Sequence, residues 1–145
     1  MVMLLNSLEF LIAVDKEYLT IRYHREEKLI WNQWRGAIPS PQLREAMISA
    51  CHFILVNDVE LILADFTRMC APTVEDQVWL GKHSAELLQH STLRKVAILT
   101  AQDIFQQMAI ERMYEKASER PMPCESRPFI SKADAMEWLL ADESY

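Results

Sequence analysis

The residues best equipped for chemistry crowd one stretch, LILADFTRMCAPTVEDQVWL, at residues 61–80. An apolar burst ends at Asp65, and Thr67, Cys70 and Thr73 follow before a helical pattern begins. Ligands of open α/β sheets collect at the carboxyl ends of strands, so Asp65, Thr67 and Thr73 form a candidate switch or binding turn. Two chemistries suit it: phosphorylation of a threonine, or a small anion held on the amides of a helix N-terminus. An architectural role fits the same residues, with Thr73 capping the helix, Pro72 shaping the turn and Asp65 bonding nearby backbone.

A second candidate is the thiol of Cys124, set between Arg120 and Arg127, because neighbouring cations lower a thiol pKa and raise its reactivity. Glu119 and Glu125 offset that charge. The histidines assemble no metal site. His83 and His90 stand seven apart, whereas zinc-binding helices use an i, i+4 pair with a third ligand. Tyr23, Trp31 and Trp34 suit either a hydrophobic pocket or the half-buried surface of a sheet.

These residues need elements to position them. LEFLIAV at residues 8–14 reads as a strand, YLTIRYH at 18–24 alternates, and LIWNQWRG at 29–36 is aromatic-rich; REEK between the last two fits a four-residue hairpin loop. Ser40 before Pro41 marks a helix start, with Leu43, Met47, Ala50, Cys51 and Ile54 on one face. ELILADF at 60–66 then reads as a buried strand. Thr73, Thr100 and Ser131 each precede an Asp by three residues, a repeated cap-and-acid device for starting helices. In the third helix Phe105, Met108, Ala109 and Met113 form the expected inward stripe, and in the last Met136, Leu139 and Leu140 do so. SERPMPCESRP, at 118–128, holds three prolines and reads as a long loop. Alternating strands and helices predict βαβ crossovers. The predicted fold is a single α/β domain over residues 1–145, its mixed sheet antiparallel at the N-terminal end, with about four helices.

Composition narrows the function. Fifteen Lys and Arg against twenty-one acids give a net charge of −6, which argues against a phosphate-binding face for nucleic acid. With only two glycines, no dinucleotide fingerprint, Walker loop or nucleophile elbow can be written. Three cysteines without C-x-x-C spacing suit free thiols in a reducing cytoplasm. The N-terminal apolar stretch has neither the basic start nor the cleavage site of a signal peptide, and no run reaches membrane-spanning length.

Together LIWNQWRG, the helix after SPQL, LILADFT and the closing PFISKADAMEWLL resemble small bacterial STAS/SEC14-like proteins, a group that includes the anti-sigma-factor antagonists. The resemblance covers most of residues 18–140. It implies a mixed sheet packed by helices and no catalytic centre. Asp65 and Thr67 match the strand end where the antagonists carry an Asp, an apolar residue and a small hydroxyl. Their phosphorylated D-S-S-G turn has no counterpart, and Thr73 lies in a similar place outside that motif. The SEC14 side implies an apolar ligand.

The expectation is therefore a cytoplasmic, non-catalytic STAS-like interaction or regulatory domain, a homodimer with a further protein partner in view, needing no cofactor or metal. The alternative is a SEC14-like carrier or sensor of a small apolar ligand, bound between sheet and helices behind the RPMPCESRP loop.

Overall fold

Alternation in YLTIRYH and the aromatic run LIWNQWRG produce an antiparallel hairpin in the computed structural model, which describes residues 9–141. Strand β2 (Leu19–His24) pairs with β3 (Leu29–Gly36) across REEK, and Lys28 takes the left-handed φ of 53° that closes the turn. Strand β1 (Leu11–Asp15) adds antiparallel to β2, with a register shift between Ile12 and Val14. The first strand thus begins later than the apolar run suggests, and Leu8 lies outside the described residues.

From β3 onward each strand is parallel to its predecessor: β4 (Leu61–Met69), β5 (Lys95–Leu99) and β6 (Glu125–Phe129). The intervening helices are α1 (Ser40–Val56), α2 (Val74–Leu88) and α3 (Ile104–Ala117), and α4 (Lys132–Leu140) follows β6. The six strands lie in chain order, β1 to β6. A chain that steps across a sheet one strand at a time, with crossovers of one hand, lays its crossover helices on one face. That is the arrangement found. Ile30, Ile62, Ala64, Val96 and Ile98 pack with α1, α2 and α3. Leu29, Leu61, Leu63, Ala97 and Leu99 turn the other way, against Ala135, Met136 and Leu139 of α4. The α/β class, the mixed sheet with its antiparallel start, and the four helices agree with the sequence pattern.

Four details differ, each for a physical reason. Asp103, not Thr100, caps α3: its carboxylate accepts from the amides of Phe105 and Gln106, while Thr100 is buried at the end of β5. The inward stripe of α3 is Gln106, Ala109 and Ile110, whereas Phe105 and Met108 are 78% and 51% exposed. Gln106 claims the inward slot because its amide donates to the carbonyls of Phe66 and Met69 and accepts from the Ala101 amide. Ser40 does not cap α1 with its side chain; its hydroxyl donates to Asp76 at 2.7 Å. The proline-rich loop is also shorter than expected, because residues 125–129 form β6. Pro128 fits there because β6 is an edge strand, where a missing N–H breaks no ladder on the outer side.

Buried polar side chains lock the helices to the sheet. Asp76 of α2 accepts from Ser40 and from Arg44 at 2.9 Å, tying α1 to α2. Lys95, almost fully buried, donates to the carbonyls of Trp138 and Ala141 at the C-terminus of α4, where a cation is favoured. Gly81 brings α2 close to α3: a Cβ there would collide with the Met113 carbonyl. Among the described residues no helix is long and apolar enough to cross a membrane.

Candidate ligand-binding site

The helical face of the sheet is not filled. A cavity of about 290 Å³ lies between the sheet and α1, α2 and α3, and reaches the loop before β6. Its origin is in the residue sizes. Ala64 on β4, Ala50 on α1, Gly81 and Ser84 on α2, and Ala117 at the end of α3 put small side chains on every wall. Native interiors are packed nearly as densely as organic crystals, with few voids larger than a water molecule, so a space of this size is a feature of the sequence.

The lining is apolar and uncharged. Trp34 and Phe66 of the sheet, Leu43 and Met47 of α1, and Met113 of α3 supply bulk around it, and among the described residues no Asp, Glu, Lys, Arg or His side chain contributes. The titratable groups that do line it are held neutral. Burial pushes the Cys51 thiol up to about 12. Burial also raises the Tyr114 phenol, with smaller contributions from the neighbouring thiols of Cys124 and Cys51. At Cys124 burial raises the thiol against the opposing influence of its own backbone and Ser126.

One polar group stands out. Asn32 sits in the middle of β3, between Ile21 of β2 and Ala64 of β4, at 6% exposure. Its Oδ1 is buried and has no hydrogen-bond partner among the described residues, and its side chain lines the cavity. An unpaired buried carbonyl costs about 1–3 kcal/mol, so a position this deep in a sheet is an expensive place for one.

The turn singled out by sequence lies elsewhere. Asp65 accepts from Trp31 Nε1 at 3.1 Å, from the Thr67 amide at 3.0 Å and from the Thr67 hydroxyl at 2.6 Å. Trp31 packs with the α4 core, so the Asp65–Thr67 pair belongs to the face opposite the cavity. Arg22 donates to Gln33 beside it, and the Arg22 and Lys132 cations lie 4.9 Å and 3.6 Å from the Trp31 ring centroid. Burial lowers the Lys132 pKa, Asp65 opposes the shift and Arg22 adds to it. Thr73 is apart from this pair: its hydroxyl accepts from the Asp76 amide as the N-cap of α2. Cys124 is half-buried in the cavity wall. The structure therefore brings Asp65 and Thr67 together, and leaves Thr73 and Cys124 in separate places.

Sequence reasoning singled out Trp34 among the aromatics and missed Asn32. The signal was present: in LIWNQWRG, Asn32 falls in the same alternation as Ile30 and Trp34, a polar residue in an inward slot. Among the described residues no group of three or more His, Cys, Asp or Glu side chains could hold a metal ion. Comparison with family models, curated proteins and solved structures finds no match to this chain.

Proposed function

We propose that this protein binds a small, largely apolar molecule between its sheet and α1–α3, acting as a carrier or sensor without catalysing a reaction. The observation that carries the reading is the 290 Å³ cavity with its uncharged, mainly apolar lining. Ligand pockets have this character, predominantly hydrophobic with a few placed polar groups. The cavity reaches Met122 and Cys124 in the proline-containing loop, and this loop supplies the segment through which a ligand would pass. The resemblance to SEC14-like proteins points the same way.

Equilibrium titration of the purified chain with 2-methylnaphthalene tests the proposal. Saturable binding is expected, and Ala64→Leu, which adds three carbons into the cavity, should abolish it while keeping the fold. Failure of the wild-type chain to bind either this probe or its hydroxylated analogue 2-naphthol, or undiminished binding by Ala64→Leu, would contradict the reading.

A second reading, a STAS-like interaction module that forms a homodimer, draws on a different surface. Ile104, Phe105 and Met108 on the first turns of α3 are all more than half exposed, and exposed apolar groups at i, i+1 and i+4 suit a protein contact. Solution scattering of wild type and Phe105→Glu tests it. A dimer that becomes a monomer in the variant supports the interface, and a wild-type monomer at high concentration rejects it.

A further inference from the structure

We infer that the ligand of this cavity is a neutral molecule of about two fused rings in size, carrying a hydroxyl or N–H that donates to Asn32 Oδ1. The inference deepens the binding reading above and rests on it.

Three observations define the chemical class. The first is charge. Among the described residues no ionic side chain lines the cavity, and the nearby thiols and phenol are held protonated. A carboxylate, phosphate or ammonium ligand would lose its hydration without gaining a counter-charge, an uncompensated cost that excludes ions from such places. Fatty acids and phosphorylated molecules are therefore disfavoured as occupants, and alcohols, phenols, amides and indoles are favoured. The second is size. An apolar cavity of about 150 Å³ takes up benzene, and this one measures about 290 Å³, room for roughly twice that bulk.

The third observation sets orientation and specificity. Asn32 Oδ1 is an acceptor with no partner among the described residues, on a strand whose backbone is fixed by pairing on both sides. The carboxamide is thus attached to backbone held from two directions. The oxygen itself has almost no accessible surface; rotation about the soft terminal torsion of the side chain brings it to a ligand donor and satisfies a group that the protein alone leaves unpaired. A site built this way discriminates between a molecule with a donor and its isostere without one, because the isostere leaves the carbonyl stranded. Asn32 is then the specificity-determining residue, and the surrounding Trp34, Phe66 and Met113 surfaces supply affinity that depends on shape.

The experiment compares 2-naphthol with 2-methylnaphthalene, near-isosteres that differ in the donor, on wild-type protein and on Asn32→Leu, with 2-naphthoate as the charged control. Between the two proteins the ratio of the Kd values for naphthol and methylnaphthalene should shift by about tenfold or more. Naphthol should bind Asn32→Leu more weakly, methylnaphthalene equally well or better, and naphthoate should bind neither. Asn32→Ala, which keeps an apolar side chain of smaller size, must shift the ratio in the same direction. An unchanged ratio with both probes bound overturns the donor inference and leaves the binding reading intact. Binding of naphthoate as tight as naphthol overturns the neutral class. If wild type binds neither neutral probe, the binding reading fails and this inference with it.

Discussion

On the α4 face of the sheet, Asp65 takes three hydrogen bonds from Trp31 and Thr67, Arg22 donates to Gln33, and Lys95 reaches two carbonyls at the end of α4. On the other face, one residue along from Trp31, Asn32 borders an apolar cavity, and its buried carbonyl oxygen has no partner among the described residues. The polar cluster on the first face looks more like chemistry, yet most of its hydrogen-bonding capacity is spent inside the protein. Trp138 Nε1 is unpaired there among the described residues, but Trp138 does not line the cavity. The contrast teaches that a rich set of polar residues marks architecture when its members satisfy one another. A single unsatisfied group beside a space is the stronger pointer to a ligand.

The largest effect should come from the packing that frames the cavity. Gly81→Ala drives a Cβ into the Met113 carbonyl, forcing α2 from α3. Chemical denaturation should show a loss of about 3 kcal/mol. A loss below about 0.5 kcal/mol would mean that the two helices are not held at this distance.

Next in size is the satisfied cluster. Asp65→Ala leaves Trp31 Nε1 and the Thr67 amide without their acceptor, and should cost about 2 kcal/mol with no change in affinity for 2-methylnaphthalene. Weaker ligand binding in this variant would break the division between the two faces.

A smaller, pH-dependent effect belongs to Asp76. Burial works against its charged form, but the Ser40 hydroxyl, the Arg44 guanidinium and the Thr73 hydroxyl outweigh it and hold the carboxyl below its ordinary value of 3.8. A carboxyl depressed on folding adds stability that is present above the unfolded pKa and lost as pH falls through the folded one. Asp76→Asn should therefore lower Tm at pH 7, and the gap to wild type should narrow once pH drops below about 4. A gap that stays constant from pH 7 to pH 2 would show that the charge of Asp76 contributes nothing.

The smallest effect should be at Asn32. Replacing an unsatisfied buried amide with Leu removes its desolvation cost, so Asn32→Leu without ligand should be as stable as wild type or more stable, by up to about 1 kcal/mol. A loss of 2 kcal/mol or more would show that the amide is bonded within the protein and would remove the contrast on which the ligand class depends.

Much of the fold was legible in the chain. REEK between an alternating strand and an aromatic one forecast the hairpin, and the caps at Thr73 and Ser131 are where the spacing placed them. The rotation of α3 was not legible, because periodicity favours Phe105 and Met108 inward and gives no hint that Gln106 has carbonyls of β4 to reach. Apolarity ranked the side chains correctly, but hydrogen bonding decided the face. The cavity was hidden for a related reason. It arises from Ala50, Ala64 and Gly81 meeting across three elements, and small residues far apart in sequence leave no local pattern. The candidate turn at Asp65 was visible because its polar residues are contiguous, whereas Asn32 is one polar residue inside a strand and stands out only once its surroundings are known.

The most direct test is a titration of ¹⁵N-labelled protein with 2-naphthol, followed through the backbone amides. The cavity account predicts saturable shifts concentrated at Asn32, Ala50, Ala64, Gly81 and Met122, with Trp31, Asp65 and Thr67 moving little. Shifts centred on Trp31, Asp65 and Thr67, or no saturable shifts at all, would contradict it.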